Sequence, residues 1–196
     1  MTAIVGVICQ DGVVIGSDSS TTFGIAPGIH TIEQTAKKVH VIDSRIIVSG
    51  TGAVGLNQRF CHSVTRLAKN FTDNAEHIEL GKLLSKTGVD DFKSTLGLIP
   101  PRGFGYGCLV AFPVGKKFHL LELGTVDFQP EFKTSDSPFV TLGGGQAITD
   151  PFVGFLRKIF FADGPPNLQD GTFITRLLKN GLVSSGKMPE GSWPIL

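Results

Sequence analysis

The chain is predicted to be an α+β protein, a four-layer αββα sandwich of two antiparallel sheets. Three observations carry that prediction. Short apolar runs broken by turn residues fall into two groups, one before residue 53 and one between residues 105 and 142. The hydrophobic period lengthens to that of a helix from Ala53, and again after Gly143-Gly144-Gly145. Two strand groups and two helical pairs bury their apolar faces together when the sheets stack and the helices cover the outer faces.

Each element has its own signal. Residues 3–9 and 13–18 form a first hairpin about the turn Gln10-Asp11-Gly12. Residues 19–35 are rich in Ser, Thr, Gly and Pro and read as a loop, or as a loop with a short extended piece. Residues 37–43 and 45–50 form a second hairpin around Asp43-Ser44-Arg45. Leu56, Phe60, Val64, Leu67 and Phe71 then share one face of a helix that runs to about Asn70. A second helix covers 75–86 with Ile78, Leu83 and Leu84 inward, and 87–102, which holds Pro100-Pro101, reads as a connector with 90–94 open to helix.

Strands resume at 105–112 and 117–123, joined through Pro113-Val114-Gly115-Lys116, and 127–133 and 138–142 complete the second set. Asp150-Pro151 reads as a helix N-cap followed by a first-turn proline, with Phe152, Phe155, Leu156, Ile159 and Phe160 as the apolar side. Asp170 is expected to cap the last helix and Gly181 to end it.

Composition bounds the function classes. The chain has 196 residues, enough for one domain over 2–196 with a sizeable core. Its 41% hydrophobic and 18% charged residues argue against disorder. A net charge of +1 gives no electrostatic case for nucleic acid or an anionic membrane as partner. Fifteen phenylalanines against one tyrosine and one tryptophan suggest packing rather than base stacking.

Cys9, Cys61 and Cys108 show neither metal nor redox spacing, and read as buried free thiols. His30, His62, His77 and His119 show no ligand spacing, so no metal site and no cofactor is expected. Gly143–Gly145 lacks a following Lys-Ser/Thr, which argues against a phosphate loop. With no secretory apolar region after Met1 and no run long enough to span a bilayer, a cytoplasmic location is expected.

The start of the chain, Met1-Thr2-Ala3-Ile4-Val5-Gly6, carries the chemistry. Methionine is normally trimmed before a small residue, which would leave Thr2 at the N-terminus. An α-amine has a reference pKa of roughly 7.7–8.0, low enough to take the hydroxyl proton near neutral pH. One residue then holds both nucleophile and base, the arrangement used in acyl transfer by an N-terminal threonine.

The order that follows is specific as a combination. Asp11-Gly12-Val13-Val14-Ile15 leads to Asp18-Ser19, then Lys37-Lys38-Val39, Ile42-Asp43, and Gly50-Thr51-Gly52-Ala53-Val54. Singly these fit ordinary roles: a strand-ending turn, a solvated lysine pair, turn or bulge glycines. Together they resemble the proteasome β-subunit superfamily of N-terminal-nucleophile hydrolases, including the HslV-type bacterial peptidases. The strong match covers residues 2–70, and a weaker match in element order continues to about 180.

The resemblance implies the αββα fold and a set of roles. Thr2 matches the nucleophile, and Asp18, sixteen positions later, the family's aspartate. Lys38 matches the lysine that this aspartate holds, Gly52 the glycine whose N–H stabilises the oxyanion, and Ser185 a serine near the C-terminus. Substrate would add as a strand between the segment around Thr22 and Gly52–Val54. The pocket for the residue before the scissile bond would be lined by Thr21, Ala36, His40, Gly50 and Val54, with an open floor at Gly50 suited to large apolar side chains. His40 also fits a surface position on an alternating strand.

The resemblance further implies a threonine endopeptidase that cuts polypeptides inside a self-assembled ring, a stacked double ring of six or seven subunits, served by a separate ATP-driven unfoldase. Two positions depart from the family. Gly144 stands where a serine supports the amine, and Leu182 stands where an aspartate precedes Ser185. Two further readings therefore stay open: a non-catalytic ring or scaffold subunit, and an amidase acting on small amides.

Overall fold

Strand β1 (Ile4–Ile8) turns back into β2 (Val13–Ser17), pairing Ile4 with Ser17 and Ile8 with Val13. The turn between them closes with the N–H of Cys9 donating to the carbonyl of Gly12 at 2.8 Å. Both strands are buried on their two faces, which explains their near-continuous apolar sequence. The computed structural model describes residues 2–23, 32–96, 105–161 and 164–184.

Within 19–35 two short strands, β3 (Ser20–Phe23) and β4 (Ile32–Thr35), pair as a separate ribbon. The hairpin of β5 (Val39–Ile42) and β6 (Ile46–Gly52) turns on Asp43 and Ser44, both at positive φ (51° and 55°). That is the twist-matched geometry of a tight hairpin. Helix α1 (Val54–Leu67) and a 3-10 turn at Ala68–Asn70 lead to α2 (His77–Leu96). Strands β7 (Tyr106–Val114), β8 (Lys117–Leu123), β9 (Pro130–Phe132) and β10 (Phe139–Leu142) follow, then α3 (Gln146–Phe160) and α4 (Leu168–Ser184).

The antiparallel sheets are β10-β1-β2 and β5-β6-β7-β8-β9. Between them Ile4, Val13, Ile15, Leu109, Ala111, Leu120, Val140 and Leu142 form the central layer of the core. They close tightly at Gly6, where a Cβ would lie 2.9 Å from Leu109 and 3.0 Å from Leu120. Helices α1 and α2 cover the outer face of the larger sheet through Leu56, Phe60, Val64, Leu84 and Phe92. Helices α3 and α4 cover the smaller one through Val153, Leu156, Ile174 and Leu178. The αββα sandwich is as predicted.

Several local expectations are corrected. Helix α2 does not stop near 86 but runs to Leu96, because tertiary packing overrides its weak formers. Gly88 lets Phe128 approach, Phe92 is fully buried against Tyr106 and Phe128, and the Ser63 hydroxyl donates to Asp91. Ile78 is exposed, and Leu80 and Leu84 take the core positions. Strand β10 pairs with β1 rather than extending the set begun by β7.

Helix α3 begins at Gln146, which places Pro151 inside it, and Asp150 accepts a hydrogen bond from the Thr141 hydroxyl instead of capping. A proline so close to the helix start forgoes only one backbone bond. On that helix Phe155 and Ile159 are exposed, not buried. The cap of α4 is Asn167, whose Oδ1 accepts the N–H of Asp170, and Gly181 lies within the helix.

Candidate active site

Five backbone segments meet at one edge of the sandwich: the residues before β1, the end of β2, the start of β5, the end of β6, and Gly143–Gly145 before α3. Thr2, Ala36, Lys37, Lys38, Gly50, Thr51, Gly52, Val54, Asn57 and Gly144 line a cavity of about 310 Å³ there. A second, more open depression that shares Thr51 and Gly52 carries Glu122, Asp127 and Gln146.

At the centre lies a hydrogen-bonded chain. Lys38 Nζ donates to Asp18 Oδ2 at 2.7 Å and to Thr2 Oγ1 at 3.2 Å. Asp18 Oδ1 accepts the backbone N–H of Ala3 at 2.9 Å, and the Asp18 N–H donates to the Ala3 carbonyl at 3.1 Å. Asp18 and Lys38 are both buried, at 3% and 8% exposure, so their pairing is shielded from the water that weakens surface ion pairs. The adjacent Lys37 is exposed. Of the lysine pair, it is therefore the second that the strand turns inward.

Glycines set how closely the segments approach. Gly52 has φ +103°, and a Cβ there would lie 2.0 Å from the Gly105 carbonyl oxygen. Gly143 has φ +98°, and a Cβ there would lie 2.4 Å from the Thr2 carbonyl oxygen. The N–H of Gly145 donates to that same carbonyl at 3.1 Å. Only glycine takes these backbone shapes at such contact distances. The triple glycine, read from sequence for the hydroxyl it lacks at 144, thus also clamps the residue that carries the nucleophile.

The predicted site residues are placed as follows. Thr2, Ala36, Lys38, Gly50, Gly52 and Val54 share the cavity, with Asp18 behind Lys38. Thr21 and Thr22 belong to β3, and their side chains lie outside the described set, as does Ser185 altogether. Leu182 falls in α4, its side chain likewise outside that set.

The open floor expected at Gly50 is corrected. A Cβ there would meet Asn57 Oδ1 at 2.4 Å and the Tyr106 hydroxyl at 2.6 Å, so those side chains already fill the space. The Tyr106 hydroxyl donates to Asn57 Oδ1 at 2.9 Å, and Asn57 Nδ2 lies 3.4 Å from His40 Nε2. His40 is half-buried, with its pKa lowered first by burial and then by Lys37. Asn57, Tyr106, Thr51 and Gly143 escaped the sequence reading. For the glycine, the Gly-Gly-Gly run was the available signal.

A sandwich of this order, with a threonine, lysine and aspartate joined at its edge, is the architecture of N-terminal-nucleophile folds. Residues 2–120 match the proteasome subunit family, and the chain belongs to that family. No curated protein matches it. Among solved structures it is similar to Anbu (ancestral β-subunit) from Yersinia bercovieri, at 15% identity and TM-score 0.77 over 99% of this chain and 80% of that one. It is also similar to Anbu of Pseudomonas aeruginosa, described as a helical assembly, at 18% identity and TM-score 0.70 over 99% and 80%. For Anbu from Hyphomicrobium sp. strain MC1 the values are 13% and 0.72 over 98% and 80%. At these identities the likeness shows a shared fold. Among the described residues, no helix is long and apolar enough to cross a membrane.

Proposed function

We propose that the chain is an N-terminal threonine endopeptidase subunit that hydrolyses polypeptides through an acyl-enzyme on Thr2. The observation that carries this reading is the 3.2 Å contact between Lys38 Nζ and Thr2 Oγ1, with Lys38 fixed by a buried carboxylate. A cation held at that distance favours the developing alkoxide over the hydroxyl.

Removal of Met1 frees the amine of Thr2. The amine takes the hydroxyl proton as Oγ attacks the peptide carbonyl, and the N–H of Gly52 faces the oxyanion that forms. Collapse breaks the C–N bond, and the amine returns the proton to the departing nitrogen. Water, deprotonated by the same amine, then hydrolyses the ester and regenerates Thr2. Lys38 and Asp18 position and stabilise without changing their own proton count.

The same fold supports assembly. The likeness to a helically assembled Anbu, together with exposed Phe155, Ile159 and Phe173 on α3 and α4, supports a self-associating subunit in a closed ring or an open helix. Sedimentation velocity at several concentrations measures it. An ATP-driven partner would supply unfolded substrate to such a chamber.

Labelling by a peptide α′,β′-epoxyketone tests the reaction. The threonine hydroxyl adds to the ketone and its free amine opens the epoxide, closing a morpholine ring. An adduct on Thr2, lost in Lys38→Ala, is the expected result; none on folded, Met1-free protein overturns the proposal. Gly144, which brings no hydroxyl to the cavity beside Thr2, is the observation that favours a scaffold subunit instead. That reading takes over on the negative outcome. An amidase would cleave small acylated amines and leave peptides intact.

A further inference from the structure

The floor of the Thr2 cavity is a polar lock. Asn57 Oδ1 is taken by the Tyr106 hydroxyl, and one Nδ2 hydrogen is directed at His40 Nε2. Burial holds the Tyr106 phenol well above its ordinary pKa, so it remains a donor and fixes which end of the amide is oxygen. The second Nδ2 hydrogen of Asn57 has no partner among the described residues, and Asn57 lines the cavity.

Among the described residues, the charged side chains that line the cavity are both lysines. Lys37, which makes no ion pair among the described residues, lies on the wall, and no acidic side chain is among the described lining residues. Helix α1 begins at the cavity, with Val54 and Asn57 in its first turn. That helix end has no side-chain cap and no acidic residue, so its backbone N–H groups add partial positive charge there. The Lys38–Asp18 ion pair carries no net charge and leaves this balance unchanged.

We infer that Asn57, oriented by Tyr106 and His40 and assisted by Lys37, selects substrates with a carboxylate side chain immediately before the scissile bond. Glutamate fits best, glutamine with its neutral acceptor second, and large apolar residues poorly. A carboxylate placed there accepts the spare amide hydrogen and sits beside the Lys37 ammonium, whereas a leucine side chain leaves that donor buried and unpartnered. Asn57 is thus a specificity-determining residue of the reaction proposed above, and the inference rests on that reading.

The test uses the full, Met1-free protein and four tripeptide epoxyketones that differ only in the last residue: Glu, Gln, Leu or Lys. The rate of Thr2 adduct formation is read by intact mass. Glutamate is expected to react about tenfold or more faster than leucine, the worth of one charge-assisted hydrogen bond. Asn57→Leu should erase or reverse that ratio. Because Asn57 also supports Tyr106, Lys37→Glu provides a surface variant that should move preference from Glu toward Lys without touching the floor.

A Thr2 adduct that forms fastest with Leu or Lys overturns the assignment while leaving the threonine-peptidase reading in place. A Glu preference that survives both variants also overturns it. No adduct with any of the four probes removes the peptidase reading, and the selectivity with it.

Discussion

Lys38 on the cavity wall and Asp18 behind it lie 2.7 Å apart, and each has a second attachment to the start of the chain. The carboxylate holds the N–H of Ala3, and the ammonium holds the hydroxyl of Thr2. One ion pair therefore grips both the backbone and the side chain of consecutive residues. This sets the distance between cation and hydroxyl more tightly than a salt bridge to a mobile terminus could.

Lys38→Met should abolish epoxyketone labelling and lower stability by about 3 kcal/mol, since it strands a buried carboxylate. The double variant Asp18→Asn with Lys38→Met should regain part of that stability and none of the labelling. Urea denaturation of the four members of the cycle measures the coupling. A loss of stability in the double variant equal to the sum of the two single losses would show that the pair does not act as a unit.

Gly143→Ala should be far more damaging than Gly144→Ser. The first forces a Cβ to 2.4 Å from the Thr2 carbonyl at a φ of +98°, and should cost about 2 kcal/mol or more. Gly144 does not have positive φ and lines the cavity beside Thr2, so a serine there fits the backbone and offers the missing hydroxyl. Thermal melts together with labelling rates check both; a slower rate in Gly144→Ser would show that the hydroxyl has no place in this site.

The three thiols should be silent in the native protein. Burial pushes Cys9 up to about 12 and Cys61 up to about 11, and raises Cys108 further still. At pH 8 a thiol-disulfide reagent should titrate none rapidly, and all three after denaturation. Fast reaction at Cys61, the least buried of them, would indicate that α1 opens locally.

Acid should weaken the fold through His119 on β8. His77 and His119 stack with ring centroids 4.4 Å apart, and burial, then His77 and Lys117, hold His119 below its ordinary value of 6.5. A histidine with a depressed folded pKa binds its proton more readily when unfolded. Its contribution is complete above the unfolded pKa and is lost as pH falls from about 6.5 toward the folded value. Melting temperature should decline over that window, and His119→Phe should flatten the decline.

How much of this was legible in the sequence depends on how local each cause is. Thr2, Asp18, Lys38 and Gly52 were readable only together, through the family resemblance that their order and spacing carry, since each alone fits an ordinary strand-end or turn role. The two helical pairs were readable from period alone. The extent of α2 was not, since Gly88 and Phe92 are explained by Phe128 across the core, not by their neighbours. Pro151 misled for a related reason: the helix it seemed to open starts earlier, where Gly145 meets Thr2. The cavity floor was least legible. Gly50 suggests empty space on its own, and only the approach of Asn57 and Tyr106 reveals what the missing Cβ admits.

The place of β1 between β2 and β10 has a consequence for the timing of biogenesis. Gly143 and Gly145, which clamp the Thr2 carbonyl, lie far downstream in the sequence and are synthesised long after it. An incomplete chain carries Thr2 without the backbone that holds it. The setting of the proposed nucleophile is therefore completed only once synthesis has passed β10.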